Sequence, residues 1–384
     1  KNVAADKTVT VNSITLADGD NGGLADNYSI ATGETSTADI TKAPLTYTVS
    51  AADKVYDGNT TATATLTLSG FVGLETVTAT NSATFDNKNV AADKTVTVNS
   101  ITLADGDNGG LADNYSIATG ETSTADITKA PLTYTVSAAD KVYDGNTTAT
   151  ATLTLSGFVG LETVTATNSA TFDNKNVAAD KTVTVNSITL ADGDNGGLAD
   201  NYSIATGETS TADITKAPLT YTVSAADKVY DGNTTATATL TLSGFVGLET
   251  VTATNSATFD NKNVAADKTV TVNSITLADG DNGGLADNYS IATGETSTAD
   301  ITKAPLTYTV SAADKVYDGN TTATATLTLS GFVGLETVTA TNSATFDNKN
   351  VAADKTVTVN SITLADGDNG GLADKYSIAT GETS

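Results

Sequence analysis

The chain of 384 residues contains no Cys, Met, Trp or His, and its 19 basic residues are all Lys. The lack of Cys excludes disulfides and thiolate nucleophiles, and it fits export through an oxidising compartment. The lack of His removes the common zinc sites and most catalytic triads, so we expect no enzyme activity. Because Met is absent, we expect the segment to be an internal piece of a longer protein. No apolar run approaches the roughly 18 residues that a membrane helix needs.

The charge is strongly one-sided, with 45 acidic residues and a net charge of −26. This balance argues against nucleic-acid binding, because phosphates require Lys and Arg. Like-charge repulsion is expected to keep the chain soluble and extended. The hydrophobic fraction of 39% nevertheless indicates a folded protein and not a disordered acidic tail.

An internal repeat is the main signal in the sequence. The string KNVAADKTVTV begins at Lys1 and recurs every 87 residues. The copies are identical except at one position, which is Asn in four copies and Lys375 in the last. The single Pro of each period belongs at a strand start or in a linker, which places a boundary near Lys42–Ala43. We therefore predict the second half of a preceding module at 1–42, complete modules at 43–129, 130–216 and 217–303, and a module lacking its last strand at 304–384.

The alternation of apolar and polar residues within a module predicts half-buried β-strands. We expect an all-β fold of tandem immunoglobulin-like β-sandwiches, one per 87-residue repeat. A phase shift between Val98 and Ile101 predicts a β-bulge or a change of sheet near Asn99–Ser100. The predicted strands lie near 45–51, 61–68, 74–80, 82–85, 94–103, 114–118 and 123–128. The predicted core comprises Leu45, Tyr47, Leu66, Phe71, Phe85, Val96, Val98, Ile101, Tyr115 and Ile127.

A Gly-rich acidic loop is the best candidate for a metal site. Asp105, Asp107, Asn108 and Asp113 could supply the oxygen ligands that Ca²⁺ takes in proteins. The spacing fits an EF-type loop poorly, because Gly109 occupies the third ligand position and no Glu closes the loop. The alternative is a solvated turn that uses Asp, Asn and Gly for their backbone freedom.

Two further local candidates carry plain alternatives. Tyr56-Asp57-Gly58 could be a ligand loop, or Tyr56 could pack on the end of the sandwich while Asp57-Gly58 turns the chain. An isopeptide crosslink would need Lys54 or Lys94 beside Asn114, and the Lys375 substitution would remove that Asn from the last copy. Sequence alone does not place these groups together.

Several motifs together resemble one known family. Lys-Val-Tyr-Asp-Gly at 54–58, Phe-Asp-Asn-Lys-Asn-Val at 85–90, Asp-Asn-Tyr-Ser-Ile at 113–117 and Ala-Asp-Ile-Thr at 125–128 resemble landmarks of the YDG repeat domain. The resemblance covers the whole period. It implies tandem β-domains displayed on the bacterial cell surface, as in large adhesins of the filamentous-haemagglutinin-like type, and it implies no catalytic residue.

Three functions fit this sequence. The first is an extracellular stalk or spacer, whose neighbouring repeats are its partners and whose copy number sets the reach of a binding tip. The second is a repeated weak site for host or matrix glycans, which gains from avidity, although exposed aromatic clusters are missing. The third is a fibre in which copies of the chain join by strand donation.

Overall fold

The computed structural model describes residues 2–381 and Thr383, and this part of the chain contains β-strands and three-residue 3₁₀ turns. The expected all-β class is confirmed. None of the helical turns in the described residues is long and apolar enough to cross a membrane.

The strands recur in the same order in each repeat. Before the first complete repeat lie β1 (Ala4–Thr10) and β2 (Thr35–Ile40). The repeat 43–129 contains β3 (Ala43–Ala51), β4 (Lys54–Val55), β5 (Thr61–Ala62), β6 (Ala64–Ser69), β7 (Val77–Phe85), β8 (Ala91–Asp105), β9 (Tyr115–Ile117) and β10 (Thr122–Thr128). The repeat 130–216 contains β11 (Ala130–Ala138), β12 (Lys141–Val142), β13 (Thr148–Ala149), β14 (Ala151–Ser156), β15 (Val164–Phe172), β16 (Ala178–Asp192), β17 (Tyr202–Ile204) and β18 (Thr209–Thr215).

The second half of the chain repeats this order. The repeat 217–303 contains β19 (Ala217–Ala225), β20 (Lys228–Val229), β21 (Thr235–Ala236), β22 (Ala238–Ser243), β23 (Val251–Phe259), β24 (Ala265–Asp279), β25 (Tyr289–Ile291) and β26 (Thr296–Thr302). The last repeat contains β27 (Ala304–Ala312), β28 (Thr322–Ala323), β29 (Ala325–Ser330), β30 (Val338–Phe346), β31 (Val357–Asp366) and β32 (Tyr376–Ile378). The 3₁₀ turns are Asp20–Gly22, Ala25–Asn27, Ala112–Asn114, Ala199–Asn201, Ala286–Asn288 and Ala373–Lys375.

The chain divides into two compact units, and the division runs through the repeat 130–216. The first unit contains the residues up to Ala138 together with 150–171 and 184–210. The second unit contains 139–149, 172–183 and the residues from Thr211 onward.

Two sheets build the repeat 43–129, which lies in the first unit. One sheet has the order β6-β3-β9, in which β3 runs parallel to β9. The other has the order β4-β10-β8-β7-β5, in which β10 runs parallel to β4 and antiparallel to β8. The repeat 217–303 of the second unit shows the same two orders.

The predicted bulge is confirmed. Ser82 pairs with Ser100 and Ala83 pairs with Val98, so Asn99 is the extra residue in β8. The two strands predicted at 74–80 and 82–85 are one strand, β7, because Asn81 continues the pairing opposite Ile101. The pattern missed β4, whose two residues are too few to show any alternation.

The predicted core is confirmed at most of its positions and is less buried at four. Leu45, Phe85, Val96, Val98, Tyr115 and Ile127 are buried. Tyr47, Leu66, Phe71 and Ile101 are only half-buried. Tyr56, which the predicted core did not include, is 2% exposed, in agreement with the alternative that it packs on the end of the sandwich.

The hydrophobic core continues across the boundary between repeats. Leu45, Val77 and Tyr115 pack together between the two sheets of the repeat 43–129. At the other end of this repeat, Phe85 and Ile127 belong to one cluster with Leu132 of the following repeat. A single residue, Lys129, separates β10 from β11. An 87-residue period is long enough for an independent domain, but part of its core is completed by the next copy.

Candidate functional site: the junction between repeats

Tyr56 of the Tyr-Asp-Gly motif lies at the junction between two repeats of the first unit. The chain leaves β4 at Val55, and the Tyr56 backbone N–H donates to the Thr128 carbonyl, which fixes the residue at the end of the sheet. Its side chain points out of its own repeat, and its hydroxyl donates to Glu162 of the next repeat at 2.8 Å from Oε1 and 3.0 Å from Oε2. The two residues are 106 positions apart in the sequence.

Glu162 accepts hydrogen bonds from both of the repeats that meet at the junction. Its buried carboxylate also accepts from the Tyr202 hydroxyl at 2.8 Å, and Lys88 Nζ lies 2.6 Å from Oε1. Tyr56 and Lys88 come from one repeat, and Glu162 and Tyr202 from the next. The carboxylate therefore gives each of these donors a hydrogen-bond partner, and the donors in turn satisfy the buried carboxylate.

The electrostatics favour a charged Glu162. Burial disfavours the carboxylate, but the hydrogen bonds from Lys88, Tyr56 and Tyr202 outweigh burial, and the pKa of Glu162 is lowered from its ordinary value. The pKa of Tyr56 is raised, because burial disfavours the phenolate and because the hydroxyl donates to Glu162. The Glu162 hydrogen bond and then that of Tyr56 raise the pKa of Lys88. At neutral pH the site therefore contains a carboxylate, an ammonium and neutral phenols.

The glycine of the motif is required by close approach. Gly58 has φ = 79°, and an added Cβ would lie 3.0 Å from Val159 Cγ1 of the next repeat. The rings of Tyr56 and Tyr202 meet edge to face with centroids 5.7 Å apart, a favourable aromatic geometry. A side chain at position 58 would be strained and would push Val159 away.

The aspartate of the motif shapes the loop and makes no contact of its own across the junction among those observed. Lys54 Nζ lies 2.7 Å from Asp57 Oδ1, and Asp57 Oδ1 also accepts from the Asn59 backbone N–H. Burial acts against the charged form of Asp57, but the hydrogen bonds from Lys54 and Asn59 outweigh it and lower its pKa. Asp57 thus fixes the turn that presents Tyr56.

A backbone clamp adds a second contact at the same junction. Asn201 is 1% exposed, and its Oδ1 accepts from the Val90 backbone N–H at 2.9 Å. Its Nδ2 donates to Asn89 Oδ1 at 3.2 Å. This Asn is the residue that becomes Lys375 in the last copy.

The second unit contains two more junctions of this kind. Tyr143 and Tyr289 donate to Glu249, which Lys175 approaches at 2.6 Å. Tyr230 and Tyr376 donate to Glu336.

Lys375 changes the last of these junctions. Its side chain is 5% exposed, and its Nζ lies 3.9 Å from Glu336 Oε1 and 5.1 Å from the centroid of the Tyr230 ring. Lys262, which corresponds to Lys88, lies 3.7 Å from the same oxygen. Position 375 no longer offers the carboxamide oxygen that clamps the preceding repeat elsewhere. This junction therefore has an additional charge and a weaker backbone contact.

The candidate calcium loop forms hydrogen bonds within itself and to the segment that precedes β7. Asp105 Oδ1 accepts from the Ala112 backbone N–H at 2.7 Å, and Asn108 has φ = 56° and donates its Nδ2 to the Leu74 carbonyl. Asp113 lies in the 3₁₀ turn that follows. Within residues 2–381 and 383, no group of three or more His, Cys, Asp or Glu residues is arranged to hold a metal ion. Calcium binding by Asp105, Asp107, Asn108 and Asp113 stays a prediction.

The groups considered for a Lys–Asn crosslink have other partners. Lys54 contacts Asp57 and Asn59, and Lys94 contacts Asp86 and Asn87. Asn114 Oδ1 accepts from the Val3 backbone N–H, as Asn201 accepts from Val90. The structure therefore places Asn114 in a junction clamp.

Sequence reasoning missed the junction because its residues look unrelated when one repeat is read alone. Glu162 stands in the loop Phe-Val-Gly-Leu-Glu, where an acidic residue after glycine is typical of a solvated turn. Tyr56 alone carried a signal, since it is a large aromatic residue beside a turn.

The family model of the YDG domain matches the chain four times, at residues 41–124, 128–211, 215–298 and 302–383. No curated protein matches the chain.

Proposed function

Since the chain belongs to the YDG domain family, we propose that it is a non-catalytic spacer in a secreted bacterial surface protein, where joined repeats hold a binding region away from the cell. The observation that carries this proposal is the buried Tyr–Glu–Tyr contact between successive repeats. A spacer must resist bending and separation at its joints, and this contact acts there.

The joints leave little freedom for the chain between repeats. Lys129 alone connects β10 to β11 in the first unit, and Lys216 alone connects β18 to β19. A one-residue connection lacks the rotatable backbone of a flexible linker. The shared cluster around Phe85, Ile127 and Leu132 would also have to open before the repeats could hinge.

The composition supports extracellular display. The chain has no Cys or Met side chains to oxidise and a net charge of −26 that opposes aggregation. Identical repeats suit a spacer, because adding a copy changes its reach without changing any contact.

Chains of two, three and four repeats test the proposal by small-angle X-ray scattering. A spacer predicts that the maximum dimension rises by a constant increment per repeat, on the order of 35–50 Å from strands of 10–15 residues at about 3.3 Å rise. The control carries Glu162→Ala, Glu249→Ala and Glu336→Ala, which leaves the linkers intact and should give a broader distribution of dimensions. A maximum dimension that grows only as the cube root of mass would refute the spacer function.

A further inference from the structure

The three-stranded sheet of each repeat is an uncharged surface on a strongly acidic protein. In the repeat 43–129 its strands β6, β3 and β9 have the sequences ATLTLS, APLTYTVSA and YSI, which contain no Lys, Asp or Glu. The chain as a whole carries a net charge of −26. Two copies of the chain therefore repel each other over most of their surface, and the repulsion is weakest where these sheets approach each other.

The outer face of this sheet is an array of hydroxyl groups. Thr48 of β3 lies directly opposite Thr67 of β6. Thr46 lies opposite Ser69, and their hydroxyl oxygens are 2.7 Å apart. All four side chains are exposed. Since Thr–Thr and Thr–Ser pairs stabilise neighbouring strands, a further strand of the same sequence would find favourable partners on this face.

β6 lies at one edge of the sheet, and the alternation of its hydrogen bonds shows which backbone groups face outward. Among the described residues, β6 pairs with β3 on one side and with no strand on the other. The Thr63 carbonyl accepts from the Ala52 backbone N–H at 3.0 Å, just before β6 begins. Since hydrogen-bonded positions alternate along antiparallel strands, Thr67 bonds with β3, whereas Leu66 and Leu68 direct their N–H and C=O groups away from it.

β6 lacks the features that usually protect an edge strand from pairing with another chain. Those features are charged residues, Pro, a β-bulge or a very short strand. β6 is six residues long, and its register with β3 is continuous from Ser69 to Ala64. In the part of the chain that the structure describes, a side chain caps this edge only at one end, where Asn81 Nδ2 donates to the Ala64 carbonyl at 2.9 Å. The middle of β6 is thus open to another strand, whereas the edge strand β4 of the other sheet has only two residues.

We propose that β6 pairs with β6 of a second copy of the chain, antiparallel about a two-fold axis and with Thr67 opposite Thr67. In this register Leu66 exchanges both backbone hydrogen bonds with Leu68 of the second copy, and Leu68 does the same with Leu66. The Ala64 carbonyl keeps its bond to Asn81. A two-fold contact of this kind uses the same surface on both copies. It goes beyond the proposed spacer function, because it joins separate chains, and it does not depend on the contact between successive repeats.

The absence of Cys allows a register-specific crosslinking test in the full chain. The test variant carries one new Cys in each β6-type strand, by Thr67→Cys, Thr154→Cys, Thr241→Cys and Thr328→Cys. The control carries Cys at the exposed positions directly opposite on the central strand, by Thr48→Cys, Thr135→Cys, Thr222→Cys and Thr309→Cys. Facing test positions have Cα atoms about 4.5 Å apart, within the reach of a disulfide. Control positions are three strand spacings apart, about 14 Å, so mild oxidation should give several-fold more covalent dimer from the test variant.

Light scattering checks the association without any crosslink. The mean mass of the unmodified chain should rise with concentration, and it should rise further with added salt, which screens the repulsion between acidic copies. Lys in place of the same four Thr residues of the test variant should keep the mass at that of one chain, because Lys would then face Lys. Lys at the four control positions changes the net charge equally and should leave the association intact. The proposal is overturned if the two Cys variants crosslink equally, if the two Lys variants behave alike, or if the unmodified chain keeps the mass of one chain at every concentration and salt.

Discussion

Removing one hydroxyl from each junction measures how strongly the repeats are joined. The variant carries Tyr56→Phe, Tyr143→Phe and Tyr230→Phe, which keep the buried rings and delete the bonds to Glu162, Glu249 and Glu336. A hydrogen bond to a charged group contributes about 1.5–3 kcal/mol, and these are buried and close to 2.8 Å. For a domain of this size, a loss of about 1.5 kcal/mol lowers Tm by roughly 6 °C or more.

The chain provides a matched control with the same chemical change. Tyr47, Tyr134 and Tyr221 have half-buried rings, and their hydroxyls accept from exposed backbone N–H groups at 3.2 Å. Their replacement by Phe should cost less than about 0.5 kcal/mol per repeat, because water replaces the lost partner. Scanning calorimetry should therefore show a clear drop in Tm only for the junction variant. Equal melting of the two variants would refute the role assigned to the tyrosine–glutamate contact.

The pH dependence gives an independent check of the same contact. The folded pKa of Glu162 lies below the ordinary value of 4.5, although burial opposes the shift, because Lys88, Tyr56 and Tyr202 favour the carboxylate. The stability from this carboxylate is thus complete above pH 4.5 and is lost as the pH falls through the lower, folded pKa. The Tm difference between the unmodified chain and the junction variant should narrow over that acid range. A difference that stays constant down to pH 2 would contradict the charged state of the acceptor.

Other substitutions test the core, the altered junction and the acidic loop. Phe85→Ala should lower the free energy of unfolding, measured with urea, by about 3–5 kcal/mol. Leu66→Ala, at a half-buried site, should lower it by less than about 2 kcal/mol. Equal losses would contradict the difference in burial. Lys375→Asn should restore the backbone clamp and raise the stability of the last junction by about 1 kcal/mol, so unchanged or lower thermal stability would contradict its role. If the acidic loop binds calcium, a chelator should lower the Tm of the unmodified chain relative to matched monovalent salt, and Asp107→Asn should abolish this effect. If the loop is a plain turn, the chelator should have no effect on the unmodified chain or on the variant.

The sequence by itself determined the fold class and most of the longer strands of the repeat. Its alternation predicted the all-β fold, because side chains on a strand face opposite sides of a sheet in turn. The loss of phase between Val98 and Ile101 indicated an irregularity near Asn99–Ser100, and the strand pairing shows that it is a bulge at Asn99. The single Pro of each period predicted a strand start or a linker, and Pro44 is the second residue of β3.

Only the tertiary structure decided which copy completes the site around Tyr56. The candidate acceptors are Glu75, 19 residues downstream in the same repeat, and Glu162, the same residue of the next repeat. The two have identical neighbours in the sequence, so no propensity, pattern or charge can distinguish them. Tyr56 contacts Glu162 because the chain leaving β4 points the Tyr56 side chain toward the next repeat, and because the one-residue connection holds that repeat against Tyr56. The joint between repeats is therefore a property of the three-dimensional arrangement of identical parts.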